Sequence, residues 1–151
     1  MKADYPLSRI QESLNGMEQL LISCPPGSLH QRVPRHSLAM VSAHVAISMT
    51  HWTAKVFQPF TAENEDVIYR RLLGISGWDD NFDSESGVIE RFVAADIIAI
   101  LGKAGANLHT HFSAQSLDEE AERTLLHVLH HTAYHAGEAA TIRRLVAGTA
   151  S

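Results

Sequence analysis

His127-Val128-Leu129-His130-His131-Thr132-Ala133-Tyr134-His135-Ala136-Gly137-Glu138 is the stretch on which the fold of this chain turns. A helix advances 100° and about 1.5 Å per residue, so residues four apart share a face about one turn from each other. In a helix His131 and His135 point the same way, close enough to grip one ion. The flanks supply the helix. Ser116-Leu117-Asp118-Glu119 reads as a capping box with an acidic first turn, Arg143 and Arg144 suit the negative end of the helix dipole, and Gly148 suits its C-terminus. A helix is therefore expected over about residues 117–147, and the rest of its ligand set must come from another element.

Reading outward, Leu7, Ile10, Leu14, Met17 and Leu21 recur at three- and four-residue intervals. They mark an amphipathic helix over roughly residues 6–23, stopped by Pro25-Pro26-Gly27. After a loop carrying Pro34, Ser37 is suited to cap a second helix running to about Phe57, with Leu38, Val41, Val45 and Trp52 near its buried side, and Gln58-Pro59 ends it. Residues 61–73 read as a shorter, charged helix, followed by a polar connection from Gly74 to Asn81. The apolar run Val88, Phe92, Ile97, Ile98, Ile100 and Leu101 predicts a long third core helix over about residues 86–108, weakened at its end by Gly102 and Gly105. No alternating β pattern, Asn-Gly hairpin, repeat or low-complexity tract is found. The expected fold is all-α: one domain over residues 1–151, a four-helix bundle with a short extra helix between helices two and three. Facing helices of such a bundle project side chains into a shared interior, so a histidine on helix two can meet the pair on helix four.

Composition narrows the function classes. With 12 basic against 17 acidic residues, a net charge of −5 and no concentrated basic patch, the chain offers nothing to attract a phosphate backbone or an anionic membrane; no nucleic-acid or membrane partner is expected. A lone cysteine, Cys24, excludes an intrachain disulfide and a CxxC metal knuckle, which leaves ligation to histidine and fits a reducing compartment. Cys24 itself reads as inert, lying where helix one meets the prolines. The start of the chain lacks the apolar core of a secretory signal, and no stretch approaches the ~18 apolar residues of a membrane span, so a cytoplasmic location is expected.

Helix two offers His44 and His51 as the third ligand. They are seven residues apart, roughly 10 Å along the axis, too far to share an ion. Position favours His44, in the middle of the apolar stretch, over His51, near the end beside Trp52. On helix four His127 continues the stripe but lies ~12 Å from His135, so His127 with His131 is a competing pair. His30, His36, His109, His111 and His130 read as surface or loop residues. Three histidines hold a divalent ion while leaving a coordination position open, the arrangement of catalytic rather than structural zinc. Imidazoles suit zinc, nickel, copper or iron, and zinc or nickel is expected here.

Ser37-Leu38-Ala39-Met40-Val41-Ser42-Ala43-His44 resembles the segment that leads to the first metal ligand of the DinB/YfiT superfamily, which is distinct from the translesion polymerase sharing the DinB name. His131 to Glu138 resembles that superfamily's closing motif of His, three residues, His, one residue and Gly-Gln. An arginine pair and a glycine follow, here Arg143, Arg144 and Gly148. The resemblance runs through nearly the whole chain in helix order. It implies His44, His131 and His135 as a facial metal triad inside a four-helix bundle. It also implies a class of activity, since members include thiol-dependent S-transferases, a mycothiol-dependent isomerase and proposed hydrolases. The chain departs from the pattern at His36, where tryptophan is common, at Tyr134, where histidine is often found, and at Glu138, where glutamine is usual.

Glu138 follows His135 by three residues, near the metal face, as a group that orients a ligand or moves a proton, or as a plain solvent-facing residue. Asp96 interrupts the apolar run of helix three and reads as an exposed residue or an acceptor for an imidazole N–H. Asp79, Asn81, Asp83 and Glu90 fall on positions 1, 3, 5 and 12 of an EF-hand template, but Ser84 stands where the sharp turn wants glycine, which disfavours calcium. The absence of Glu-x-x-His disfavours a di-iron carboxylate bundle, and the absence of CxxCH excludes c-type haem. The expected function is a metal-dependent transferase or hydrolase, the ion activating a low-molecular-weight thiol or water against a small-molecule substrate, in a homodimer. The alternative is a non-catalytic metal-binding or stress-response dimer.

Overall fold

The computed structural model describes residues 2–57, 65–75, 87–114 and 116–149. Five α-helices are seen among them, and no strand: α1 (Asp4–Ile22), α2 (Leu38–Phe57), α3 (Glu65–Leu73), α4 (Ala94–Ser113) and α5 (Glu119–Thr149). The all-α class expected from the sequence is observed. Gln58-Pro59, residues 61–64 of the short helix, the connection from Ser76 to Asn81, residue 86, and the EF-hand positions Asp79, Asn81, Asp83 and Ser84 lie outside the described residues.

The four long helices pack around one core. Both α1 and α2 contact α4 and α5, while α3 leans on α2 and α4. Met17, Leu21, Leu38, Ile47, Leu108, Phe112 and Leu125 are among the side chains sealed inside. At one end Arg143 Nη2, on α5, donates to the Ser23 carbonyl at 2.6 Å, so a late-helix arginine satisfies the terminal carbonyl of α1 as well as suiting its own dipole.

Helix α2 is the element the sequence describes least well. An apolar stripe was expected, yet every residue from Leu38 to Thr50 is buried. Small polar residues disguise this. Ser42, Ser48, Thr50 and Thr53 are enclosed with the rest, and the Thr50 and Thr53 hydroxyls donate to the carbonyls one turn back, of Ala46 at 2.8 Å and Met49 at 2.7 Å. A hydroxyl that bonds its own helix can be buried without an outside partner. The start of α2 is as expected: Ser37 Oγ accepts the Met40 N–H at 3.1 Å, a cap worth about 1 kcal/mol.

Two boundaries differ from expectation. The third core helix begins at Ala94 and not near residue 86. Ile89–Arg91 form a 3-10 turn, Phe92 and Val93 are extended, and Asp96 Oδ2 accepts the Val93 N–H at 2.9 Å, which starts the helix there. Asp96 is exposed, as one of its two readings had it, and acts as a capping residue rather than an imidazole acceptor. The same helix runs through Gly102 and Gly105 to Ser113. Burying Leu108 and Phe112, at roughly 1.5–3 kcal/mol each, outweighs about 1 kcal/mol per interior glycine. In α5 the cap is Asp118, whose Oδ1 accepts the Ala121 N–H at 2.8 Å, and not Ser116.

Candidate metal centre

Because α2 and α5 are neighbours, a side chain at the middle of one meets the middle of the other. His44 Nε2 lies 3.1 Å from His131 Nε2, and one ligand atom from each of His44, His131 and His135 falls within 4.8 Å of the others. Ring centroids are 4.5 to 5.0 Å apart. His44 and His135 are 7% and 8% exposed, and His131 is half-buried. The chain's other helix-two histidine does not join them. His51 packs edge-on to Trp52 at 5.2 Å, and so do the imidazole of His127 and the Trp52 ring, at 4.6 Å. The alternatives of His51, and of His127 with His131, are therefore not the ones assembled.

The donor chemistry fits a divalent cation. Two nitrogen ligands at 2.0–2.1 Å from a tetrahedral zinc stand about 3.3 Å apart, close to the observed separation of His44 and His131. Only neutral imidazole has a lone pair to give. Burial lowers His44 to about 3 and His131 to about 4, with the neighbouring histidines adding to the effect, so both are neutral at pH 7. Ser48 Oγ is 3.4 Å from His44 Nε2.

The third ring is held from behind. Glu138 Oε1 is 2.9 Å from His135 Nδ1, and its Oε2 is 3.3 Å from Nδ1 of His36. An ionised carboxylate only accepts, so Nδ1 of each ring carries the hydrogen. With Nδ1 as the donor, a neutral ring at His135 has its lone pair on Nε2, the nitrogen on the other side. Glu138 keeps a quarter of its side chain exposed while both its oxygens face ring nitrogens.

His36 was read as a surface or loop residue and is half-buried beside this carboxylate. The signal was slight: it immediately precedes the cap of the helix that carries His44. Its backbone is fixed on both sides, the His36 carbonyl accepting the Val33 N–H at 2.9 Å and the Leu29 carbonyl accepting from Ala39 at 3.1 Å. His30 is also tied down, with Nε2 2.8 Å from the Phe92 carbonyl, and His111 Nδ1 lies 2.8 Å from the Asn107 carbonyl. His109 and His130 are exposed as expected. Tyr134 is exposed with its ring edge-on to His135 at 5.0 Å. The Cys24 thiol is free, and burial raises its pKa against the opposing influence of Arg143, which favours the unreactive protonated form.

Among the described residues no helix is long and apolar enough to cross a membrane. No family model, characterised protein or solved structure matches the chain.

Proposed function

We propose that the chain is a four-helix-bundle metalloprotein of the DinB/YfiT kind, in which His44, His131 and His135 hold a divalent cation that serves catalysis. The convergence of three imidazoles from two helices is the observation that carries this reading. We take the cation to be zinc or nickel, two of the metals that imidazole donors suit. Among the described residues three histidines make up the cluster, a number that leaves room for a fourth, exchangeable ligand. When bound, the cation lowers the pKa of a thiol or water that reaches it, making a nucleophile available near neutral pH.

The protein's own residues divide the remaining work. Glu138 has both oxygens turned to Nδ1 atoms, so its part is to orient His135 rather than to carry a proton from substrate. On the side away from Glu138, His131 is half-buried and His127, stacked beside it at 6.1 Å, is exposed, a face open to a small molecule. The Trp52 ring packs edge-on against His127 there. The reaction class is nucleophilic transfer or hydrolysis on a small electrophile, in a cytoplasmic protein that pairs as a homodimer.

Zinc- or nickel-loaded protein assayed with small electrophiles and low-molecular-weight thiols is expected to turn over, with activity abolished by chelator and by His135→Ala. No turnover across the panel at any loading defeats the catalytic reading. A non-catalytic metal module then remains.

A further inference from the structure

We infer that His36 is a positioning residue for the metal centre: through the Glu138 carboxylate it fixes the orientation and tautomer of His135. This rests on the metal-binding reading above and extends it to a side chain 99 positions away from the ligand it controls. The two oxygens of Glu138 are divided between two rings, Oε1 to His135 Nδ1 at 2.9 Å and Oε2 to His36 Nδ1 at 3.3 Å. A carboxylate shared in this way has lost its freedom to rotate. On its own helix Glu138 is one turn from His135 and a quarter exposed, so without a second partner its oxygens would exchange between the ring and water. His36 removes that choice.

His36 is itself well anchored. Val33 donates to its carbonyl, and the next residue, Ser37, is the cap of α2. The helix that delivers His44 and the ring that braces Glu138 therefore begin at the same point of the chain. One placement of residues 36–37 sets both halves of the site. The chemical consequence falls on His135 Nε2: an imidazole whose Nδ1–H is given to a carboxylate is the better donor at Nε2, and partners of this sort are worth about 10–100-fold in metal affinity.

The test uses the full-length chain and zinc, with His36→Ala, His36→Gln, Glu138→Ala and the double variant His36→Ala/Glu138→Ala. Zinc affinity is read at fixed pH by competition with a chromophoric chelator. Ring tautomers are read in the metal-free protein by long-range proton–nitrogen NMR. Glu138→Ala is expected to lose about 10–100-fold in affinity. His36→Ala is expected to lose several-fold and to mix the His135 tautomers, while His36→Gln, which still offers an N–H, recovers most of both. Because the two residues act in series, the double variant should be no weaker than Glu138→Ala alone. Wild-type affinity and an unmixed tautomer in His36→Ala overturn the inference, as do losses that multiply in the double variant. Failure of the wild-type chain to bind zinc would instead defeat the metal reading, leaving the tautomer result to judge the His36–Glu138 link by itself.

Discussion

A buried imidazole that must stay neutral makes acid a specific threat to this protein. His44 and His131 titrate at about 3 and 4 in the fold, against about 6.5 in an unfolded chain, chiefly because burial penalises their charged forms. The unfolded chain binds protons more readily, so stability is highest above pH 6.5, declines as pH falls below it, and goes on declining until the folded rings protonate. Metal is lost in the same direction, since protons compete for the same lone pairs. Melting of the metal-free protein is expected to move to lower temperature from pH 7 to pH 4.5, and less so in His44→Asn, which cannot take up the proton. An equal slope in the variant would assign acid lability to other groups. Of the site residues, His131 and His135 were legible because four-residue spacing on a helix is a strong geometric constraint, and His44 because it was central where His51 was terminal. His36 was not legible. Its partner Glu138 lies 102 positions away, and only the packing of α5 against the loop before α2 brings them together. Two of the three positions at which the chain departs from the pattern it resembles, His36 and Glu138, thus touch each other.

Helices were easier to find than to delimit. The periodic runs located α1, α2 and α4, and the histidine spacing with its flanks located α5, but side-chain caps decided where α2, α4 and α5 start, and a capping carboxylate looks like any other acid in a sequence. Asp96 was weighed as a possible imidazole acceptor and instead starts α4, and Asp118 displaced Ser116 at the start of α5. Two glycines of α4 give a sharper test of packing. A Cβ at Gly102 meets nothing within 4 Å, whereas at Gly105 it falls 2.8 Å from Leu14 Cδ1, where α1 passes close. Gly102→Ala should stabilise by roughly 0.5–1 kcal/mol, an increase in Tm of about 1–4 °C. Gly105→Ala should gain less, or lose, because the buried Leu14 must move. Equal gains at both positions, measured by thermal melting, would contradict the close approach of α1 and α4.

At the level of the whole chain, the architecture explains why so few residues suffice. The enclosed α2 borders α5 along its length, so the ring of helices that buries the core also brings His44 to the paired histidines with no loop involved. The site is asymmetric. Glu138 and His36 stand on the flank behind His135, while the opposite flank carries His131 and His127. All of this depends on one cation being shared by imidazoles from two helices. X-ray absorption at the metal edge of protein loaded with one equivalent of zinc measures that sharing directly. Three imidazoles at about 2.0–2.1 Å, falling to two in His44→Ala, with light-atom ligands completing the sphere, are expected. Fewer than three imidazoles in the wild type, a sulfur from Cys24 among the ligands, or a spectrum unchanged by His44→Ala would contradict it.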